Sequence, residues 1–540
     1  MKHYRYYLLI IVCLAAFFRF YRLGDVPPSP SLDEASIAYN AYSILETGRD
    51  EYGTRFPLLL RAFDDWRPAA YVYLVIPFVK LFGLSALAVR FPAALLGTLT
   101  VILTFYLVKE LFSSAGQKPS FMIHNSLFIS LLSAFLLAIS PWHIYLSRLG
   151  HEVNLGLTLT VVAVYYFLKS SRLSIIPAAI FFALSFYAYQ SQKIFGPVLL
   201  LAILLIFYRK LWERRRLVFV SFGVLVLLLI PIVNVSLAPQ ALSRFQGTSL
   251  LSNHGLEAKV AARGLRDQES GNWIGSLLDN RRVSSLLAVG NAYFSHFDPA
   301  WLFFNSDREK HKIPNLGLFY LWELPLLVVG LYQLGKENYD PKLKYFLIAW
   351  LLAAPLPAAI TTEAPHAMRA FNALPVPQIL SAIGAVTLFR KTKLSMLGLP
   401  LVAFSLIFLL HNYFVNFPYE QSDSFQYPLG RAIEYTLKRE SEYERIVITN
   451  QNQGYQSYMF YLYYRHYDPH LYLAQGGTKS GGYNQTHQIG KYEFRPINWS
   501  GQQAGTLFVG NTGDFPDGIV GADFKLLTGE NALKAISGGK

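Results

Sequence analysis

The sequence predicts a mainly α-helical protein that crosses a membrane many times and carries a small α/β domain at its C-terminal end. Three observations predict this. Hydrophobic residues make up 53% of the 540 positions and charged residues only 15%, with a mean hydropathy of +0.29, a profile typical of membrane proteins. Apolar runs near the roughly 20 residues that a bilayer demands recur along most of the chain. From residue 414 onward the composition turns polar and rich in Tyr, Gln and Gly.

The apolar runs lie at about 7–23, 88–108, 122–140, 153–168, 173–190, 194–208, 217–237, 317–334, 345–360, 371–389 and 394–413, which predicts eleven spans. The first follows Lys2 and Arg5 and resembles a signal peptide. No small-x-small cleavage site follows it, and Arg19, Tyr21 and Arg22 form an interfacial collar, so a retained anchor is expected. With the N-terminus cytoplasmic, the inner connections become 109–118, 169–172, 208–216, 335–344 and 390–393. Each is short and carries Lys or Arg, as the orientation rule requires.

The segment 67–83 is apolar but short and contains Pro68 and Pro77. If it spanned, the Arg-rich loops would face outward, so it is expected to lie as a helix on the outer leaflet. The expected domains are 1–413, with outer loops 24–87 and 238–316, and an extracytoplasmic α/β domain over 414–540. Within the latter, 428–444 reads as helix, and 445–450, 505–510 and 521–529 read as strands.

The net charge of +14 sits in short clusters between apolar segments. It therefore reads as orientation bias, and nucleic acid is not expected as a partner. The one cysteine, Cys13, lies in the first apolar run, which excludes an intrachain disulfide or a Cys-based metal site. The tripeptides "NQT" (484–486) and "NWS" (498–500) match the glycosylation acceptor pattern, and no function is attached to them.

Ionisable residues cluster at the predicted outer surface. Asp33 and Glu34 are adjacent carboxylates just after the first span, where they can meet a membrane-bound substrate, although Asp33 also suits the N-cap of the helix that follows. Asp64, Asp65 and Arg67 lie where the loop returns to the membrane. Arg90 sits near the outer end of its span and is expected to pair with Asp33 or Glu34. His366 and Arg369, three apart, open the tenth span on one helical face. His296, Arg148 and His151 lie in other outward segments.

One span, then an "LDE" loop, then "AVRFPAALLGTLTV" (88–101) resembles the membrane glycosyltransferases of the protein O-mannosyltransferase and aminoarabinose transferase group, which have the C-type glycosyltransferase fold. The segments "SPWHIYLSRLGHEVN" (140–154), "HFDPAWLFFNSD" (296–307), "IPNLGLFYLWELPLLVVGLY" (313–332) and "APHAMRAFNALPVPQILSAIGA" (364–385) are similar to the bacterial branch. The resemblance covers roughly residues 1–412 and leaves the C-terminal domain unexplained.

The resemblance implies an integral membrane enzyme that moves a sugar from a polyprenyl-phosphate donor to a hydroxyl on a lipid, glycan or protein, with inversion, at the outer face of the cytoplasmic membrane. By match to "LDE", Asp33 takes the role of general base and Glu34 orients it or the acceptor. Arg67 is the first candidate for the donor phosphate, since arginine forks match phosphate oxygens, against snorkelling to lipid headgroups. Arg90 is either a phosphate contact or half of a structural ion pair. His366 and Arg369 are candidates for the leaving phosphate or interfacial anchors. Asp65, His296 and Arg148 are candidate substrate or metal contacts. The resemblance makes no cofactor certain and leaves a divalent metal open.

Other classes fit less well. An oligosaccharyltransferase would carry a Trp-Trp-Asp signature, which is absent. A transporter or lipid flippase would place ionisable groups along a path inside the membrane, whereas stretches such as "SLLSAFLLAIS" carry none. A non-catalytic member whose C-terminal domain binds polymer would have lost the Asp33–Glu34 pair.

Overall fold

The computed structural model describes residues 4–113, 119–169, 171–239, 247, 249–250, 254–304, 311–337, 339–391, 395–482, 485–499 and 503–539. Parts of the segments 109–118, 169–172, 238–316, 335–344, 390–393, 484–486 and 498–500 lie outside them. The chain divides into two compact units. One comprises Met1–Ala15, Gly97–Leu146 and Val153–Leu406, the other Ala16–Leu96, Ser147–Glu152 and Ile407–Lys540.

Each expected apolar run overlaps helix, from Tyr4–Phe20 to Ser395–His411, although 186–190 and 317–322 are not helical. Among the described residues, four helices are long and apolar enough to cross a membrane: Ala86–Ser113, Arg215–Ser236, Pro341–Ala359 and Gly398–Glu420. The pair Ser126–Ile139 and Pro141–Ser147, bent by 58°, makes a fifth if it is one broken span. Other runs form shorter helices, such as Val153–Leu168 and Gln192–Ile206. At 1.5 Å per residue a 16-residue helix extends roughly 24 Å, less than the roughly 30 Å of hydrocarbon. The structure thus shows a multiply helical, apolar architecture without establishing eleven full spans.

In the first unit the helices Glu323–Lys336 and Val376–Lys391 pack closely. Gly330 and Gly384 permit this. A Cβ on Gly330 would stand 1.9 Å from the Leu380 carbonyl oxygen, and one on Gly384 would stand 1.9 Å from that of Leu326. Small residues let helix backbones touch where no water is present to drive them together.

The second unit holds the first loop and the C-terminal region. The helix Leu32–Thr47 starts with a capping box: Ser31 accepts from the Glu34 N–H, and Glu34 accepts from the Ser31 N–H. The cap is therefore Ser31 and not Asp33. Gly48, at φ 70°, ends the helix in the left-handed conformation. There follows a hairpin absent from the sequence expectation, β1 (Leu59–Ala62) with β2 (Asp65–Pro68). Its turn residues Phe63 and Asp64 both have positive φ, 53° and 59°. Asp64 anchors that turn by accepting from Arg61 Nε (2.9 Å), Ser480 Oγ (2.8 Å) and the Gly481 N–H (3.0 Å). The next helix, Ala70–Phe82, has 13 residues and is one of the shorter apolar helices.

The C-terminal region contains a six-stranded sheet. The strands are β3 (Arg445–Ile448), β4 (His487–Ile489), β5 (Tyr492–Phe494), β6 (Thr506–Asn511), β7 (Ala522–Lys525) and β8 (Asn531–Ser537), in the order β4-β5-β3-β6-β8-β7. The central β3 runs parallel to β5 and β6, and the outer pairings are antiparallel. Val447, Phe508, Phe515 and Ile536 form an apolar core on it. The helix Ser457–Arg465 packs against both Tyr427–Lys438 and Leu32–Thr47.

Glu51 fastens the first loop to the C-terminal region. Fully buried, it accepts from Asn40 Nδ2 (3.0 Å) and Thr478 Oγ1 (2.7 Å). Burial nevertheless pushes its carboxyl up to about 7 from 4.5.

Two outcomes follow from these packings. Gly384→Val is expected to cost about 1–3 kcal/mol or more, read as a lower unfolding midpoint in detergent. Because the Glu51 carboxyl is raised in the folded state, its contribution is complete below pH 4.5 and is lost as pH rises through about 7. The loss is on the order of 3 kcal/mol. Glu51→Gln should remove that slope from a series of unfolding midpoints over this range.

Candidate active site

The adjacent carboxylates Asp33 and Glu34 occupy the first turn of one helix, yet they have different surroundings. Glu34 is buried. Its Oε1 accepts from Arg90 Nε (2.8 Å) and the Gly150 N–H (2.8 Å), and its Oε2 accepts from an Arg90 terminal nitrogen (2.9 Å) and the Ser31 N–H (2.8 Å). Four bonds fill a carboxylate's acceptor positions. Arg90 is also buried, and its remaining donors go to the carbonyl oxygens of Leu23 (3.2 Å), Pro27 (2.9 Å) and Ser29 (2.7 Å). All five guanidinium donors are spent. Of the two partners expected for Arg90, the structure gives it Glu34, which is the structural ion pair of the two readings offered for this arginine.

Gly150 completes the arrangement. A Cβ there would stand 2.8 Å from Val89 Cγ2, 3.0 Å from the Val89 carbonyl oxygen and 3.1 Å from Glu34 Cγ. Only glycine brings its N–H to the carboxylate. Arg148, a candidate substrate or metal contact, is buried. It donates to the carbonyl oxygens of Phe18, Arg19, Arg22 and Val26 at 3.0–3.3 Å and stacks on Tyr413 and Phe414.

Asp33 remains accessible, its side chain 48% exposed. Its Oδ1 accepts from an Arg67 terminal nitrogen at 2.7 Å. Arg67 is positioned by β2, so the hairpin fixes the guanidinium against the start of the helix. Burial opposes its charge, but Asp33, Glu152 and Asp65 together raise the guanidinium above its ordinary range. Asp65 also accepts from the Trp66 N–H at 2.8 Å. Glu152 is buried beside His151, with 3.2 Å between Nδ1 and Oε2. Sequence reasoning singled out Arg148 and His151 in "SRLGHE" and passed over Glu152. The available signal was an acid in a short, otherwise apolar connection between two helices. The second unit thus assembles three carboxylates around one guanidinium, with one of the carboxylates open to solvent.

His296, His366 and Arg369 belong to the first unit. His296 lies close to Ala292 O through Nδ1 (2.8 Å), and its Nε2 accepts the His366 backbone N–H (3.1 Å). His296 thus has both ring nitrogens engaged by backbone groups, and burial lowers its imidazole's proton affinity. It lines a small apolar cavity of about 80 Å³ with Trp142 and Trp301. His366 and Arg369 do not open a helix as expected. They lie in a turn, and the helix begins at Val376. Pro365 and Pro375 disfavour helix in the residues before them. Arg369 donates to Thr361 Oγ1 and Thr362 O, both at 2.7 Å. Among the described residues, no group of three or more His, Cys, Asp or Glu side chains is placed to hold a metal ion.

Comparison with solved structures identifies the architecture. ArnT from Cupriavidus metallidurans bound to undecaprenyl phosphate superposes with a TM-score of 0.54 at 12% identity, covering 98% of this chain and 97% of that one. The chain has the ArnT fold. The apo form of the same protein gives the same score and identity, with 98% of both chains covered. The Archaeoglobus fulgidus oligosaccharyltransferase tethered to an acceptor peptide gives 0.47 at 14% identity, over 86% of this chain. The chain spans about 63% of that protein's length. No family model matches the sequence, and no curated protein does.

The two carboxylates are expected to respond differently to neutralisation. Glu34→Gln leaves a buried guanidinium without its counter-charge and should cost about 3–5 kcal/mol. Asp33→Asn removes one partner of a buried arginine that keeps Glu152 and Asp65 near it, and should cost less. Unfolding midpoints of the two purified variants read the difference.

Proposed function

We propose that the protein is an inverting glycosyltransferase that moves a sugar from a polyprenyl-phosphate donor to an acceptor hydroxyl on the outer face of the cytoplasmic membrane. The observation that carries this reading is the Asp33–Arg67 pair, an accessible carboxylate held 2.7 Å from a guanidinium in a chain with the ArnT fold. ArnT itself is known bound to undecaprenyl phosphate, which supports a donor of that chemistry here.

In this reading Asp33 accepts the proton of the acceptor hydroxyl as its oxygen attacks the anomeric carbon. The bond from that carbon to the phosphate oxygen breaks on the opposite face, and polyprenyl phosphate departs with the electron pair. Arg67 meets the charge that develops on the leaving phosphate, where a fixed cation in a site shielded from water has its largest effect. Until donor binds, the same guanidinium orients Asp33. Asp65 and Glu152 hold Arg67 in place, while Glu34 and Arg90 keep the helix start rigid. For His366 and Arg369 we retain the anion contact expected from the sequence. No step requires a metal, and the acceptor class of lipid, glycan or protein stays open.

Protein reconstituted in liposomes and given a panel of polyprenyl-phosphate sugars tests the reading through release of polyprenyl phosphate. Asp33→Asn should lower turnover by about 10²–10⁴, and Arg67→Ala by roughly 10²–10³, both with unfolding midpoints near that of the parent. Full turnover in folded Asp33→Asn would move the base elsewhere.

A further inference from the structure

The C-terminal region contains a polar cavity that the transferase reading does not use. It measures about 380 Å³, within the roughly 300–1,000 Å³ typical of small-molecule sites. It is formed where the helix Pro469–Ala474 runs into the loop that leads to β4.

The walls are fastened from behind. Tyr472 OH and Thr478 Oγ1 are 2.7 Å apart, and Thr478 donates onward to Glu51. Ser480 and Gly481 bind the carboxylate of Asp64 in the hairpin turn. Gly481 also sits so close to that turn that a Cβ would stand 2.7 Å from Phe63 Cα. The Asn450 amide holds the Gln485 carbonyl at 2.9 Å. On the other side, the His487 ring stacks on buried Tyr458 at 3.9 Å. The described lining residues are thus tethered at Tyr472, Ser480, Gln485 and His487.

Chemistry narrows the ligand. The lining offers amides from Gln475, Gln485 and Gln488, hydroxyls from Ser480 and Thr486, and one aromatic residue, Tyr472. Lys479 is the one cation of fixed charge, and no carboxylate lines the cavity among the described residues. Burial lowers the His487 imidazole to about 4, so it is neutral at pH 7. An apolar ligand would need an apolar lining, and a nucleic acid would need several cations. Amides and hydroxyls both donate and accept, as do the hydroxyls of a sugar.

We propose that this cavity is a binding site for a neutral saccharide of one or two sugar units. The site is separate from Asp33, and saccharide binding does not require turnover. If the transferase reading also holds, the site fits the glycan part of an acceptor or product.

The test is saturation-transfer NMR on the full-length protein in nanodiscs, with maltose and N,N′-diacetylchitobiose as neutral probes and inorganic phosphate as the charged control. At least one disaccharide should receive saturation, and the Gln485→Ala/Gln488→Ala double variant should weaken its binding at least tenfold while keeping the parent's unfolding midpoint. Absence of transfer to both disaccharides, or undiminished transfer in the folded double variant, would overturn the assignment. Binding of phosphate alone would make the cavity an anion site and overturn it as well. Asp33→Asn should bind the disaccharide as the parent does, so the two readings fail independently.

Discussion

The second unit depends on one buried ion pair, Glu34 with Arg90. Two charges taken out of water are costly unless every donor and acceptor is met, and here five guanidinium donors and four acceptor positions are all met within the unit. The partners come from separate parts of the sequence: the residues after the first helix, the start of Ala86–Ser113, and Gly150 in a later connection. Closing this network therefore fixes where the Leu32–Thr47 helix begins and which way its first turn faces. Asp33, one residue earlier, is pointed by that constraint and is left accessible. The adjacent acids divide the work, one holding the structure and the other facing the solvent.

A second set of tethers joins the first loop to the C-terminal region. Glu51 and Asp64, both from the acid-rich first loop, bind Thr478, Ser480 and Gly481. The acid gathered after the first apolar run is thus divided three ways: one carboxylate stays accessible beside Arg67, one meets the buried arginine, and others bind the C-terminal region. Glu51 is the most pH-sensitive of these contacts, because its burial favours the protonated form.

Much of this was legible in the sequence because hydropathy and helix length are local properties. The apolar runs, the shortness of Ala70–Phe82 and the strands β3, β6 and β7 all follow from residue patterns within short windows. The Arg90 partnership was legible to within two candidates, since an arginine at a span end needs a counter-charge. The β1–β2 hairpin was not. Its turn is Phe63–Asp64 and lacks the Asn-Gly or Gly-Gly pair that announces such turns, and the positive φ values are held by contacts from more than 400 residues away. The backbone partners of Arg148 were not legible either, because Phe18 and Arg19 lie more than 120 residues away and only the fold brings them near. Glu152 was overlooked because Arg67 stands far earlier in the chain, with four helices between them, and only the fold relates the two.

The central claim is that Asp33 and Arg67 face the reacting atoms while Glu34 and Arg90 do not. The most direct measurement is an experimental structure of the protein with bound polyprenyl phosphate. The account predicts the phosphate against the Arg67 guanidinium, with Asp33 at its edge and the Glu34–Arg90 pair intact. A phosphate seated on Arg90, or one bound with Arg67 still closed on Asp33 and out of reach, would contradict it.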